Sequence, residues 1–192
     1  MGRANDASRI FNGALFPKAG EYLIDSVHSF AGFSIQHFVV GQVRGQFSSI
    51  EGKLVIADNP LQSLLEISVA AATINTQNQA RDNDLRSAKY LNVEKFPAMT
   101  FHSTGFVPEP CGKWTINGNL TVCNVNYPAA LTVHFCGFVD DPWGKTRGAF
   151  RGKTKINRKN FGLSADLDMH TGGTIIGNDI GIHFSAEFLL QT

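Results

Sequence analysis

His28-Ser-Phe-Ala-Gly-Phe-Ser-Ile-Gln-His37 is the stretch that decides the fold. Successive side chains of an extended chain point to opposite faces, so Ala31, Phe33, Ile35 and His37 share one side. Leu65, Ile67, Val69 and Ala71 share a side in the same way a few turns later. Two half-buried strands are the consequence. His28 and His37 stand nine residues apart, which in a regular strand turns them to opposite faces and away from any common metal. Each is better read as bonding a neighbouring turn or backbone group; a bulge near Gly32 would be needed to bring them together.

Outward from this stretch, residues 43–47, 52–57, 99–107, 113–122, 130–139, 147–156 and 179–190 repeat the pattern, rich in Val, Ile, Phe and Thr. Asn59-Pro60, Asn117-Gly118 and Gly172-Gly173 punctuate them. An all-β, antiparallel sheet of about eight strands is predicted, as a sandwich or a barrel. One segment, residues 77–91, reads as helical: Asn75 or Asn78 can cap it, Asp82 and Asp84 lie early, and Arg86 and Lys89 lie late, in keeping with the helix dipole. Arg81, Asp82 and Arg86 then form a solvated face with neighbouring ion pairs, or Arg81 or Asp82 folds inward and pins the helix across one end of the sheet. Residues 1–20 lack a strand pattern and read as an N-terminal extension of a domain over 21–192, with residues 1–18 dispensable for folding. Ile10, Phe11, Leu15 and Phe16 are nevertheless apolar enough to pack on the body.

Lysine and arginine number 17 against 16 acidic residues, a net charge of +1, so the chain lacks the basic field with which nucleic-acid binders displace counterions. Hydrophobic residues make up 43% and charged ones 17%, with 15 phenylalanines, which implies a large apolar interior. Cys111, Cys123 and Cys136 have no C-x-x-C spacing, which supports neither a disulfide framework nor a zinc site and suggests a reducing compartment. No run of about 18 apolar residues marks a transmembrane helix. The first twenty residues carry no apolar signal core, so a cytoplasmic location is expected.

His102, His134, His170 and His183 are scattered, without H-x-H or H-E-x-x-H spacing. Ser29, Ser34, Ser48 and Ser49 lack a G-x-S-x-G elbow. Gly41, Gly45 and Gly52 fit no phosphate loop and read as turns and bulges. No metal, catalytic residue or nucleotide cofactor is predicted.

Five blocks, YLIDSVHSFAGFSIQH (22–37), VRGQFSSIEGKL (43–54), TINTQNQARDNDLRSAKYLNVEKFPAMTFHST (73–104), INGNLTVCNVNYP (116–128) and INRKNFGL (156–163), occur in the order and spacing of the YceI-like family, the bacterial polyisoprenoid-binding lipocalin-like proteins. The chain resembles that family from about Tyr22 to Leu190. The resemblance implies an extended antiparallel lipocalin-like barrel with one short helix near one end, around an apolar tunnel for a long-chain lipid. Members are often periplasmic, and here no signal is recognisable. Where the family pattern carries a Phe-Phe pair after the helix, this chain has Lys89, Tyr90 and Leu91, which implies an altered wall.

The expected function is to bind, carry or store a polyisoprenoid, isoprenoid quinone or fatty-acyl lipid without catalysis. Strand parity nominates the wall: Phe33, Ile35, Phe47, Leu54, Leu65, Ile67, Val69, Phe101, Leu120, Val133, Phe135, Phe150, Ile180, Ile182 and Phe184. Arg81, Asp82 and Arg86 are placed at the helix and mouth. One bulge would flip a whole strand out of this assignment. A small enzyme using His28 or His37 as acid or base on an isoprenoid, and a barrel filled by its own phenylalanines, are the rival readings. A transient membrane contact and a homodimer stay open.

Overall fold

A computed structural model describes residues 8–38, 40–164 and 175–191, apart from the side chains of Ala14 and Cys111. The chain starts with a hairpin, β1 (Ser8–Phe11) and β2 (Ala14–Pro17). Strand β3 (Gly20–His37) returns through β4 (Gly41–Phe47) and β5 (Ile50–Ile56), which act as two halves of one bent strand. Then come β6 (Leu64–Ala70), the short β7 (Ile74–Asn75) and helix α1 (Gln79–Arg86). Strands β8 (Ala98–Glu109), β9 (Lys113–Val122), β10 (Val125–Asp140), β11 (Thr146–Asn157) and β12 (Ile176–Leu190) complete the order. Every pairing is antiparallel, and β12 pairs back onto β3, so that eight strands close into a barrel with β4 and β7 attached. Closure leaves the long strands without a free edge.

Close packing of rings onto glycines shapes the inner surface. Phe33 lies opposite Gly45, Phe184 opposite Gly152 and Phe138 opposite Gly148. A Cβ on Gly45 would come within 2.5 Å of the Phe33 ring. Gly45 and Gly52 therefore sit inside regular strands, and not at the turns or bulges expected of them. Asn117-Gly118 likewise lies within β9, not at a turn. The reversal comes at Cys123 and Asn124, both left-handed with φ of 50° and 61°.

Three irregularities in strand register lie toward the hairpin end of the barrel. In β3, Asp25 and Phe30 face Glu187 and Ser185, so the strand carries extra residues that stand out from the wall. Extra residues also occur at Thr104 in β8 and Cys136 in β10. Each reverses the inward parity of its strand. Hence Tyr22 and Ile24 face in before the β3 bulge, and Phe33 and Ile35 after it. Phe106 and Phe138 enter the core in the same way, beyond Phe101 and Phe135.

Two further expectations are corrected. Residues 8–17 form a hairpin because Asn12-Gly13 supplies the two left-handed positions, φ 49° and 78°, of a two-residue turn. Its Phe16 is 3% exposed, packed on Trp114 with ring centres 4.0 Å apart, so this part of the chain forms strands and docks on the body. The helix is shorter than 77–91. Asn78 caps it, its side chain accepting from Arg81 N at 3.0 Å, and Ser87 ends it by turning extended and donating its hydroxyl to Asp84 O. The chain then folds back, Leu91 N bonding Leu85 O, which buries Leu91 rather than leaving it on a helix face. Among the described residues no helix is long and apolar enough to cross a membrane.

Candidate functional site

The barrel encloses a cavity of about 380 Å³, inside the range of roughly 300–1,000 Å³ that small-molecule pockets occupy. Its wall is almost entirely aliphatic and aromatic. Each of the fifteen residues that strand parity nominated, from Phe33 to Phe184, lies on that wall. The 15-residue strand β12, at roughly 3.3 Å per residue and a tilt of about 40°, spans roughly 38 Å along the barrel.

At one end the hairpin closes the barrel. Phe16, Tyr22, Phe106, Trp114, Phe135, Phe138, Phe150 and Phe188 gather there in stacked, edge-to-face and tilted pairs. Such pairs add to the area they bury. The Arg9 guanidinium ties the hairpin to the body by donating to the carbonyls of Pro17, Ala57 and Asp58. Tyr22 donates its hydroxyl to Lys18 O at 2.8 Å, and burial, partly opposed by Arg9, pushes its pKa up to about 12. Trp114, 2% exposed, carries an indole N–H that has no partner among the described residues.

At the other end α1 and the segment behind it form the lid. Ile74, Leu91, Val122 and Phe161 are its buried core. Asp82, 5% exposed, accepts from Thr76 N at 2.8 Å and Thr76 Oγ1 at 2.7 Å. Arg81 donates from Nε to Thr76 Oγ1 and from a terminal nitrogen to Thr76 O. Arg86 donates to Ala72 O and Ile74 O. Arg81 and Asp82 thus fold inward onto Thr76, while Arg86 bonds the carbonyls of the segment before the helix. Arg158 is also buried here, donating to Gly177 O at 2.9 Å and Leu163 O at 2.5 Å. A polar groove outside this end, lined by Arg44, Thr76, Lys155 and Asn178 among others, shares Gln36, Val43 and Arg81 with the cavity wall.

The two histidines of the opening stretch part company. His37 lies on the cavity wall at the α1 end. His28 sits on the outward bulge, its Nδ1 2.9 Å from Asp25 Oδ2. Asp25, His28 and Glu187 offer ligand atoms within 4.8 Å of one another, but Arg147 already donates to Asp25 at 2.5 Å and to Glu187 at 3.4 Å. Burial raises the Asp25 pKa, yet the Arg147 and His28 hydrogen bonds outweigh it and leave the carboxyl at about 2. The Arg147 guanidinium thus already pairs with both carboxylates of this cluster. Cys123 lies behind Tyr90 and Leu91, and burial pushes its thiol pKa up; Cys136 is exposed. His170 and Gly172-Gly173 lie outside the described residues.

Wall residues that strand parity did not nominate fall into two groups. Trp114, Ile116 and Val122 share a face with Leu120 on β9, so the alternation already on the page could have found them. Phe16, Ile24, Phe106, Leu91, Arg158 and Phe161 could not be found that way, because they enter through bulges, the hairpin or turns.

The family model for the YceI-like domain matches residues 22–188. A YceI protein from Salmonella newport is 37% identical over 152 residues, 78% of this chain and 79% of that protein. A protein of Azotobacter vinelandii named UPF0312 is 35% identical over the same shares. Among solved structures, Burkholderia cenocepacia BcnA superposes with a TM-score of 0.74 at 14% identity, covering 85% of this chain and 98% of that one. A polyisoprenoid binding domain from Saccharophagus degradans superposes with a TM-score of 0.65 at 12% identity, covering 91% and 100%. At these identities the two structures establish the fold.

Proposed function

We infer the function from one premise: the chain belongs to the YceI-like family. It binds a long-chain apolar lipid of polyisoprenoid, isoprenoid-quinone or fatty-acyl type in the barrel, and carries or stores it without chemical change. The observation that carries this reading is the cavity wall, apolar along its length between an aromatic plug and the α1 lid. Each methylene moved from water into such a space contributes roughly 0.8 kcal/mol, so about ten give roughly 8 kcal/mol before ordering costs. The polyisoprenoid-binding title of the Saccharophagus degradans domain supports the same ligand class by likeness of fold.

The reading of a barrel filled by its own phenylalanines is disfavoured, because the rings leave about 380 Å³ open. The test is solvent extraction of the purified protein followed by lipid mass spectrometry, before and after incubation with a polyprenol, a prenyl quinone and a fatty acid. Near-stoichiometric retention of at least one is expected. Retention of none after incubation would refute the reading.

A further inference from the structure

The residues that join β3 to β4 are Phe38-Val39-Val40, in a place where short β connections ordinarily carry Gly, Asn, Asp or Pro. Val40 is 94% exposed and Phe38 48%. Phe38 also sits at φ 49°, a left-handed conformation that a bulky residue rarely adopts. Its N–H donates to Ile175 O at 2.9 Å, and the Val40 N–H donates to Phe38 O at 2.7 Å. Backbone strain and apolar exposure thus coincide at one turn, and water favours neither.

The turn stands at the α1 end, where Gln36, Val43 and Arg81 line both the cavity and the outer groove. The Phe38 ring lies edge-on to that of His37, centres 4.1 Å apart, and His37 is on the cavity wall. Val40 lines the groove. Among the described residues the charged groups of the groove are Arg44, Arg81 and Lys155 against Asp179, which pairs with Lys155 at 2.5 Å. Cations are therefore in excess here, on a chain whose net charge is only +1. The plugged end differs: its exposed Trp143 follows Asp140 and Asp141, and an aromatic core closes the barrel behind it.

Resting on the lipid-binding reading, we propose that the β3–β4 turn and the cationic groove beside it are the surface by which this protein seats on an anionic lipid bilayer. Phe38 and Val40 enter the boundary between headgroups and acyl chains, and the Arg44 guanidinium, which reaches Gln42 Oε1 at 3.5 Å, meets lipid phosphate. The α1 end of the barrel then faces the acyl layer. A long-chain lipid exchanges between bilayer and cavity there without drawing its hydrocarbon through water, which each methylene would oppose.

The test uses the full chain and large unilamellar vesicles of phosphatidylcholine alone or of equimolar phosphatidylcholine and phosphatidylglycerol, with binding read by flotation. The parent is expected to float with the anionic vesicles at low salt and to release at high salt. Phe38→Ser combined with Val40→Ser should weaken that binding about tenfold, and Arg44→Gln, which leaves the turn intact, about fivefold. Trp143→Ser, at the plugged end, should bind as the parent does. Failure of the parent to float, equal flotation with both vesicle types, or a turn variant within about twofold of the parent overturns the docking surface. So does a parent dimer that the turn variant converts to monomer in sedimentation, which would give the patch to a second copy. Delivery of a polyprenol from ethanol separates this proposal from the reading beneath it. The turn variant should then retain as much as the parent, and take up the polyprenol more slowly when it is offered in anionic vesicles; equal rates from vesicles overturn the docking surface and leave lipid binding intact, and retention by neither protein overturns both.

Discussion

Replacing Phe16 by alanine tests whether the N-terminal hairpin is part of the folded body. Phe16 is 3% exposed, tilted on Trp114 at 4.0 Å and edge-on to Phe106 at 6.4 Å. Truncating a buried phenylalanine costs roughly 3–5 kcal/mol, counting the cavity left behind. For a chain of 192 residues each kcal/mol moves Tm by about 2–4 °C, which gives a drop of roughly 6–20 °C. Undocking of the whole hairpin would cap the loss at the free energy of docking, so deletion of residues 8–17 should cost at least as much as the point change. Ile10→Ala is the internal control. Ile10 shares the hairpin but is 69% exposed, and its truncation should stay within about 0.5 kcal/mol. Thermal melting by circular dichroism compares the three variants with the parent. A Phe16→Ala melting point within about 2 °C of that of Ile10→Ala would refute the docked hairpin.

Asp82→Ala strips a buried carboxylate from both donors of Thr76 and should cost roughly 3 kcal/mol, read as a lower urea midpoint, with Asp82→Asn recovering part of it. Asp25 is an acid whose folded pKa lies below its usual value, at about 2, so its contribution is present above about pH 4 and is lost as pH falls through 2. Arg147→Met should therefore be less stable than the parent at pH 7, with the gap closing toward pH 2; a gap independent of pH would contradict the assignment. Ile182→Phe adds bulk to the cavity wall opposite Phe33 and should shift retained lipids toward shorter chains, measured by mass spectrometry on the folded variant; an unchanged chain-length profile would place the lipid elsewhere.

What the sequence determined by itself is what depends on neighbours two residues apart. Alternation along an extended chain is local, so β9 and β12 could be outlined closely and Phe33, Ile35, Leu65, Ile67 and Phe184 assigned to one inner surface before any strand was paired. The turn at Asn12-Gly13 was just as local and equally legible, although it lay in a segment set aside as an extension. Tertiary structure decided everything that depends on register and closure. The bulges of β3, β8 and β10 reverse parity where the barrel narrows onto the hairpin, turning Tyr22, Phe106 and Phe138 inward and His28 outward. Arg158 is buried where the carbonyls of Leu163 and Gly177 converge on it, and a charged residue cannot announce such partners in advance. The indole N–H of Trp114, which has no acceptor among the described residues, belongs to the same class, since such a donor becomes visible only when the chain has folded around it.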